Sequence, residues 1–296
     1  EMIEKIKRSI DGGARFLIAS HIDPDGDALG SMFSLYWVLR SLGKSACVYM
    51  KDNIPYRYDF LPGPQDLLHT PPEECFDAVF VLDCGSLFRI GADYEKIGAL
   101  GPLISIDHHE TNEAFGAINL LNKAASSTAE VLYGLYVSLN VEFSRNIAMN
   151  MYTGVFTDTG SLRYENTNPE AFEICRRMVE TGVKPAYVAR MVYENHPMER
   201  FLLLGEALRT LRRINGGRVA LAYVTEEMFA RTGTTGEYAD GFSEEFRKLS
   251  NIEASVFIRQ IADRKFKISM RSKGVIDVAA ICGQFGGGGH RNAAGC

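Results

Sequence analysis

The sequence predicts an α/β protein: an N-terminal parallel sheet with helices on both faces, a connecting helix, and a smaller C-terminal α/β domain with a mixed sheet. Three observations point there. Short continuous apolar runs, such as Ala78-Val79-Phe80-Val81-Leu82 and Leu103-Ile104-Ser105-Ile106, have the character of strands covered on both faces. Runs with apolar residues at helical spacing alternate with them, as at Leu29, Met32, Phe33, Tyr36, Leu39 and Leu42. After Asn215-Gly216-Gly217 the pattern changes to strands joined by a tight turn. A chain of 296 residues has room for two cores of this kind.

In chain order, residues 2–11 read as a short helix with Met2, Ile3, Ile6 and Ile10 on one face. Phe16-Leu17-Ile18-Ala19 is a buried strand, His21–Ser31 an acidic strand-to-helix turn, and the helix it opens stops at Gly43. Ala46–Met50 is a second strand, and the Pro- and Asp-rich stretch 51–76 reads as irregular. The strand at 78–82 ends in Asp83-Cys84-Gly85, and that at 103–106 ends in Asp107-His108-His109. Ser127 or Thr128 with Glu130 marks a helix start continued by Val131, Leu132, Leu135 and Leu139. A helix over roughly 144–156 runs toward Asp158 and a Gly turn, and helices at 169–181 and 185–193 follow, the latter opening with Pro185. From Pro197 to Arg213 a helical pattern reads as the connector. Strands are expected at 219–224, 254–261 and 266–271, then a helix at 275–282 leading into Gly286–Gly295. The expected domains are 1–195 and 214–296, joined by 196–213.

The net charge of −5 gives no support to capture of long nucleic acid, which shows as a basic surplus, though it leaves room for a local basic pocket. No apolar run reaches the length of a membrane span and no signal peptide is visible. The start at Glu1 and the stop at Cys296, directly after a Gly-rich motif, suggest that native termini are missing. Cys47, Cys75, Cys84, Cys175, Cys282 and Cys296 form no C-x-x-C pair and read as free thiols in a reducing cytoplasm.

The chemistry gathers at strand ends. His21, Asp25 and Asp27 follow the first strand, Asp83 another, and Asp107, His108 and His109 a third. In an open α/β sheet such ends meet at one edge, where ligands bind. So many carboxylates need a compensating charge, and divalent cations supply it through Asp oxygen and His nitrogen. Each residue also has an ordinary reading: Asp27 as a helix cap, Asp158 as a turn residue, Asp107 as a capping Asp.

Taken together, these motifs resemble the DHH phosphoesterase superfamily, named for the triplet at 107–109. Gly287-Gly288-Gly289-His290 with Ala293-Ala294-Gly295 resembles the glycine motif of its associated C-terminal domain, so the resemblance covers the whole chain. Among its members, the bacterial nanoRNase/pAp phosphatase (bifunctional oligoribonuclease) group is most similar. That resemblance implies hydrolysis of short RNA or DNA oligonucleotides to mononucleotides and removal of the 3′-phosphate of adenosine 3′,5′-bisphosphate (pAp). It also implies two divalent ions, expected as Mn²⁺: His21, Asp25 and Asp83 on one, and Asp27, Asp83, His108 and Asp158 on the other, with Asp83 bridging. Two cations about 3.5–4 Å apart activate water for in-line attack on phosphorus. His109 is then free to bind a phosphate oxygen or assist the leaving group, and Asp107 to orient a neighbouring imidazole. Gly287, Gly288, Gly289, His290 and Arg271 are the expected phosphate recognition groups, with Arg163 a further candidate. In this reading substrate lies between metals and glycine loop.

Other residues carry softer expectations. Arg89 ranks below Arg163 as a substrate contact, Ser127 and Thr128 are candidate substrate contacts for which capping suffices, Asp23 lies outside the motif, and Trp37 reads as core. The sequence leaves room for a homodimer. The competing functions are a soluble cyclic-dinucleotide phosphodiesterase, a non-catalytic nucleotide-binding regulator, and a family II pyrophosphatase, whose closing basic Ser-Arg-Lys-Lys type motif is absent here.

Overall fold

A computed structural model describes residues 1–296 as two compact units, Glu1–Glu194 and Asn195–Cys296. In the first unit the order is α1 (Met2–Gly12), β1 (Arg15–Ala19), α2 (Gly26–Ser41), β2 (Ser45–Tyr49), β3 (Leu67–Leu68), β4 (Ala78–Leu82), α3 (Tyr94–Gly98), β5 (Leu103–Asp107) and β6 (Ile118–Leu121). Four helices complete it: α4 (Thr128–Ser138), α5 (Arg145–Asp158), α6 (Pro169–Glu180) and α7 (Pro185–Tyr193). The six strands form one parallel sheet in the order β3-β2-β1-β4-β5-β6.

The central strands are apolar throughout because both faces are covered. Along β4, Ala78, Phe80 and Leu82 join the core built with α1, α2, α4 and α5, while Val79 and Val81 join a smaller core with Ile97 of α3 on the other face. The strand order reverses direction at β1 and β4, so the loops that follow these two strands part there and leave a crevice at their carboxyl ends. Helices α2 and α5 pack closely beside it. A Cβ on Gly30 would meet the Asn150 carbonyl at 2.5 Å, and one on Gly154 would meet an Asp27 oxygen at 2.9 Å. Only glycine at these positions lets the two helices approach enough to bring Asp27 beside the end of α5.

The second unit comprises α8 (Met198–Thr210), β7 (Arg212–Ile214), β8 (Val219–Val224), α9 (Glu226–Thr232), α10 (Phe242–Arg247), β9 (Ala254–Ala262), β10 (Lys265–Ser272), α11 (Val278–Gly283), β11 (Gly288–His290) and β12 (Ala293–Gly295). Its sheet runs β11-β12-β10-β9-β8-β7 and is mixed, with only β8 and β9 parallel. Leu203 and Ala207 of α8 pack with Ala220, Phe242, Phe246 and Phe257 in one core. The helix read from sequence as a connector over 196–213 is therefore shorter and forms part of the second unit's core.

Several elements escaped the sequence reading. Strands β3 and β6 are short edge strands of intermediate burial, and α3, α9 and α10 are helices of five to seven residues, too short to show a 3.6-residue period. The stretch 51–76 holds β3 and a 3₁₀ turn at Tyr56–Tyr58. No helix is long and apolar enough to cross a membrane.

Candidate metal centre

Each carboxylate at the crevice is held by a donor of the protein. Asp25 caps α2: its Oδ1 accepts from the Asp27 and Ala28 amides, both at 3.0 Å. Asp27, expected as a metal ligand with a helix cap as its ordinary reading, reaches α4. Its Oδ2 accepts from the Thr128 amide at 2.6 Å and its Oδ1 from the Ala129 amide at 3.0 Å, at the electropositive helix start. Asp83 follows β4 with φ +52°, a left-handed conformation that short polar residues tolerate best, and its Oδ1 accepts from the Thr128 hydroxyl at 2.9 Å. Asp158 is the last residue of α5, and its Oδ2 accepts from the Asn166 amide at 3.3 Å.

The imidazoles are aimed by their second nitrogen. His21 Nδ1 donates to the Ile22 carbonyl at 2.7 Å and His108 Nδ1 to the Ala125 carbonyl at 3.2 Å, so each ring presents Nε2 as the lone-pair atom. His21 Nε2 lies 3.6 Å from Asp83 Oδ2. His108 Nε2 lies 3.7 Å from Asp83 Oδ1, 3.9 Å from Asp27 Oδ2 and 3.6 Å from Asp158 Oδ2. Among the groups whose offered atoms lie within 4.8 Å of one another are His21–Asp25–Asp83, Asp27–Asp83–His108 and Asp83–Asp107–His109, and the first two match the expected ligand sets. Asp83 belongs to both. These nitrogen and oxygen donors fit a pair of divalent cations of the Mg²⁺, Mn²⁺ or Fe²⁺ kind, not thiolate-loving metals.

Asp107 is fully buried and fully engaged. Its Oδ1 accepts from the His108 amide at 2.8 Å, the His109 amide at 3.2 Å and His109 Nδ1 at 2.7 Å. Its Oδ2 accepts from the Asn112 amide at 2.7 Å. Held by these donors, Asp107 fixes the His109 ring through Nδ1. Asn112, Asn166 and the Thr128 hydroxyl are positioning contacts that nothing in their local sequence marks.

Charge in the cluster is strongly opposed. Burial first, then Asp83 and Asp158, pushes the Asp27 carboxyl well above the usual carboxylate range, against the pull of His108. Burial also opposes the Asp83 charge, yet His21, His109 and His108 hold this carboxyl well below its ordinary value. Burial disfavours charge on all three rings, but the carboxylates override it and raise each: chiefly Asp83 for His21, Asp27 for His108 and Asp107 for His109. Metal binding at His21 and His108 would therefore be coupled to loss of any proton on their Nε2 atoms. Burial pushes the Cys84 thiol up to about 12, so it stays protonated beside Asp83 and is structural.

Outside the cluster, Asp23 is exposed, and its amide donates to Asp52 Oδ2 at 2.7 Å. Ser127 caps α4 by accepting from the Glu130 amide at 3.1 Å. Arg163 is exposed and its Nε donates to the Gly160 carbonyl at 2.6 Å. Arg89 is nearer the chemistry than its sequence ranking: its carbonyl accepts from the Ile22 amide at 2.9 Å and its charge opposes protonation of His21.

In the second unit the glycine run is an edge hairpin, β11 against β12. Arg271 pairs across the sheet with Ala293, which pairs in turn with His290, so all three share one row and one face. The small Ala293 separates two cationic or donor side chains by two strand spacings, about 10 Å. Arg271 also holds Glu244, donating from Nε to Oε1 at 2.7 Å. The three glycines divide. A Cβ at Gly287 would overlap the Gly295 carbonyl, and Gly289 has φ +141° with the Ala293 carbonyl 2.5 Å from its Cβ position. Gly288 has nothing within 4 Å of that position. Folding of the hairpin explains the first two; only Gly288 leaves open space for a ligand.

Comparison with known proteins adds to this geometry. The family described as "DHH family, N-terminal domain" matches residues 15–155, and the "DHHA1 domain" matches 216–296. A bifunctional oligoribonuclease and PAP phosphatase NrnA from Thermus thermophilus is 33% identical over 99% of this chain and 86% of its own length. The crystal structure of an exopolyphosphatase-related protein from Bacteroides fragilis matches with a TM-score of 0.90 at 29% identity, covering 99% of this chain and 90% of that one. RecJ from Thermus thermophilus, crystallised with Mn²⁺, shares the fold with a TM-score of 0.56 at 14% identity, covering 99% of this chain and 51% of that one.

Proposed function

The chain belongs to the DHH family of phosphoesterases, and on that premise we propose that it hydrolyses short oligonucleotides to mononucleotides and removes the 3′-phosphate of adenosine 3′,5′-bisphosphate. The observation that carries this reading is the sharing of Asp83 between two ligand sets at the sheet's switch point. His21, Asp25 and Asp83 would hold one divalent ion, and Asp27, Asp83, His108 and Asp158 the other. We take these ions to be manganese, a choice to which nitrogen and oxygen donors are suited. Bound there, the pair supplies neutralisation of phosphoryl charge and an acidified water.

The chain's own groups do the rest. Asp107 accepts from His109 Nδ1 and raises the basicity of the ring, which favours its cationic form with a proton on Nε2. That proton can stabilise a phosphate oxygen or pass to the leaving oxygen as the P–O bond breaks. Thr128 and the start of α4 keep Asp83 and Asp27 oriented at no reorganisation cost. In the second unit, Arg271, His290 and the open backbone at Gly288 provide donors for a second phosphate or the terminal nucleotide. The six free cysteines are suited to a reducing cytoplasm as the compartment.

Purified protein with Mn²⁺ is compared on a labelled diribonucleotide, a long RNA, pAp, a cyclic dinucleotide and pyrophosphate. The reading expects the highest kcat/KM on the dinucleotide and pAp. A preference for the cyclic dinucleotide or pyrophosphate would replace it.

A further inference from the structure

Helix α5 opens at Arg145 and closes at Asp158, so its first turn lies about 20 Å along the helix from the metal centre. There it borders a cavity of 540 Å³ with the start of α7 and the loop around Phe60. This volume is within the range of about 300–1,000 Å³ typical of small-molecule sites. We propose that the cavity walled by Phe60, Met149 and Tyr187 and rimmed by Arg145, Lys184 and Arg190 is a second ligand site, for a nucleoside monophosphate.

The charge argues for an anion. The cavity lining contains three cations and no carboxylate, in a chain with a net charge of −5. Some exposed cations elsewhere pair with acids, as Arg176 does with Glu173, Arg218 with Glu253 and Lys248 with Glu245. Arg145, Lys184 and Arg190 make no such pair. Three like charges converging on one basin repel one another until an anion joins them. The backbone adds to the field. Arg145 is the first residue of α5, and α7 starts beside the cavity at Pro185 with no side-chain cap. Two helix starts of 14 and 9 residues thus bring their positive ends to the same basin.

The walls argue for a ring on that anion. Phe60 and Tyr187 meet edge to face with centroids 5.7 Å apart, Arg190 lies 5.9 Å from the Tyr187 centroid, and Met149 is buried beneath. A flat base gains from such aromatic and thioether surface, and a phosphate from the cationic rim. A track for polynucleotide would spread its cations along a path; here they surround one basin. The inference stands on this cavity and is independent of the reaction assigned to the metal centre.

The structure also supplies a reporter. Trp37 is the single tryptophan, and its Nε1 donates at 2.7 Å to the carbonyl of Pro62, which lines the cavity. Full-length protein in EDTA is titrated with AMP, adenosine and inorganic phosphate, followed by Trp37 fluorescence and by calorimetry. Saturable AMP binding is expected in wild type and equally in Asp83→Asn. Adenosine and phosphate should each bind at least tenfold more weakly than AMP. Arg145→Glu/Arg190→Glu should weaken AMP at least tenfold, with Arg145→Gln/Arg190→Gln as the milder variant if charge reversal disturbs folding, judged by circular dichroism. No saturable AMP binding, unchanged affinity in a folded double variant, or phosphate binding as tightly as AMP would each overturn the proposal.

Discussion

The two units hold their candidate residues in opposite ways. In the first, Asp27, Asp83, Asp107 and His108 are at most 3% exposed, and their partners come from strands and helices far apart in sequence. In the second, Arg271, Gly288 and His290 lie half-buried on an antiparallel edge, within twenty residues of one another. Ionised carboxylates packed this closely survive only where every spare oxygen is aimed by a donor, which requires burial and many fixed contacts. A surface that grips a phosphate and a sugar needs only a few donors beside open backbone. Substitutions in the first unit should therefore strike turnover, and those in the second should strike substrate affinity.

The largest effect is expected at Asp83. Asp83→Asn retains the left-handed backbone but removes the shared charge, and kcat should fall by on the order of 10³-fold or more, with loss of bound metal measured by elemental analysis. Asp83→Ala should lose as much activity and also melt earlier, because alanine at φ +52° adds about 1–3 kcal/mol of strain. Wild-type turnover in Asp83→Asn would end the contrast between the units. Next, Asp107→Asn should lower kcat roughly 10–100-fold with little change in KM, since it releases His109 without touching substrate. A KM effect alone would move Asp107 to the recognition side.

In the second unit, His290→Ala should raise KM for a dinucleotide about tenfold while leaving a small aryl phosphodiester nearly unaffected. Gly288→Ala should behave alike in a stable protein, whereas Gly287→Ala should destabilise the hairpin, as a melting curve would register. Arg271→Ala is a poorer probe, because it also abandons Glu244. The smallest effect concerns that pair. Burial would raise the Glu244 carboxyl, but Arg271 and then Ser243 hold it at about 2, below its ordinary 4.5. A carboxyl depressed in the folded state stabilises fully above pH 4.5, and that contribution fades as pH falls toward 2. Urea unfolding should therefore show a deficit in Glu244→Gln at pH 7 that shrinks through this window; a constant deficit would mean that the pair is not ionic.

Much of the candidate site was legible because its residues directly follow apolar strands. His21, Asp83 and the 107–109 triplet each stand where a run of buried residues stops, and the periodicity of those runs is a local property. The roles within the cluster were less legible. A cap was the ordinary alternative for Asp27, yet its oxygens meet a helix that starts 101 residues later, while Asp25 does the capping. The helix at Met198–Thr210 falls inside the expected connector, but its place in the second unit's core was not legible, because the partners of Leu203 and Ala207, such as Phe242 and Phe257, lie on elements 35 to 54 positions away.

Local patterning thus settled the fold class and the strand ends and marked the acidic and imidazole candidates, since each depends on neighbours a few residues apart. Which carboxylate oxygens converge and which accept a backbone amide depended on contacts such as that of α2 with α5 at Gly30 and Gly154. Those assignments rest on contacts between segments remote in sequence, and no short-range pattern records them.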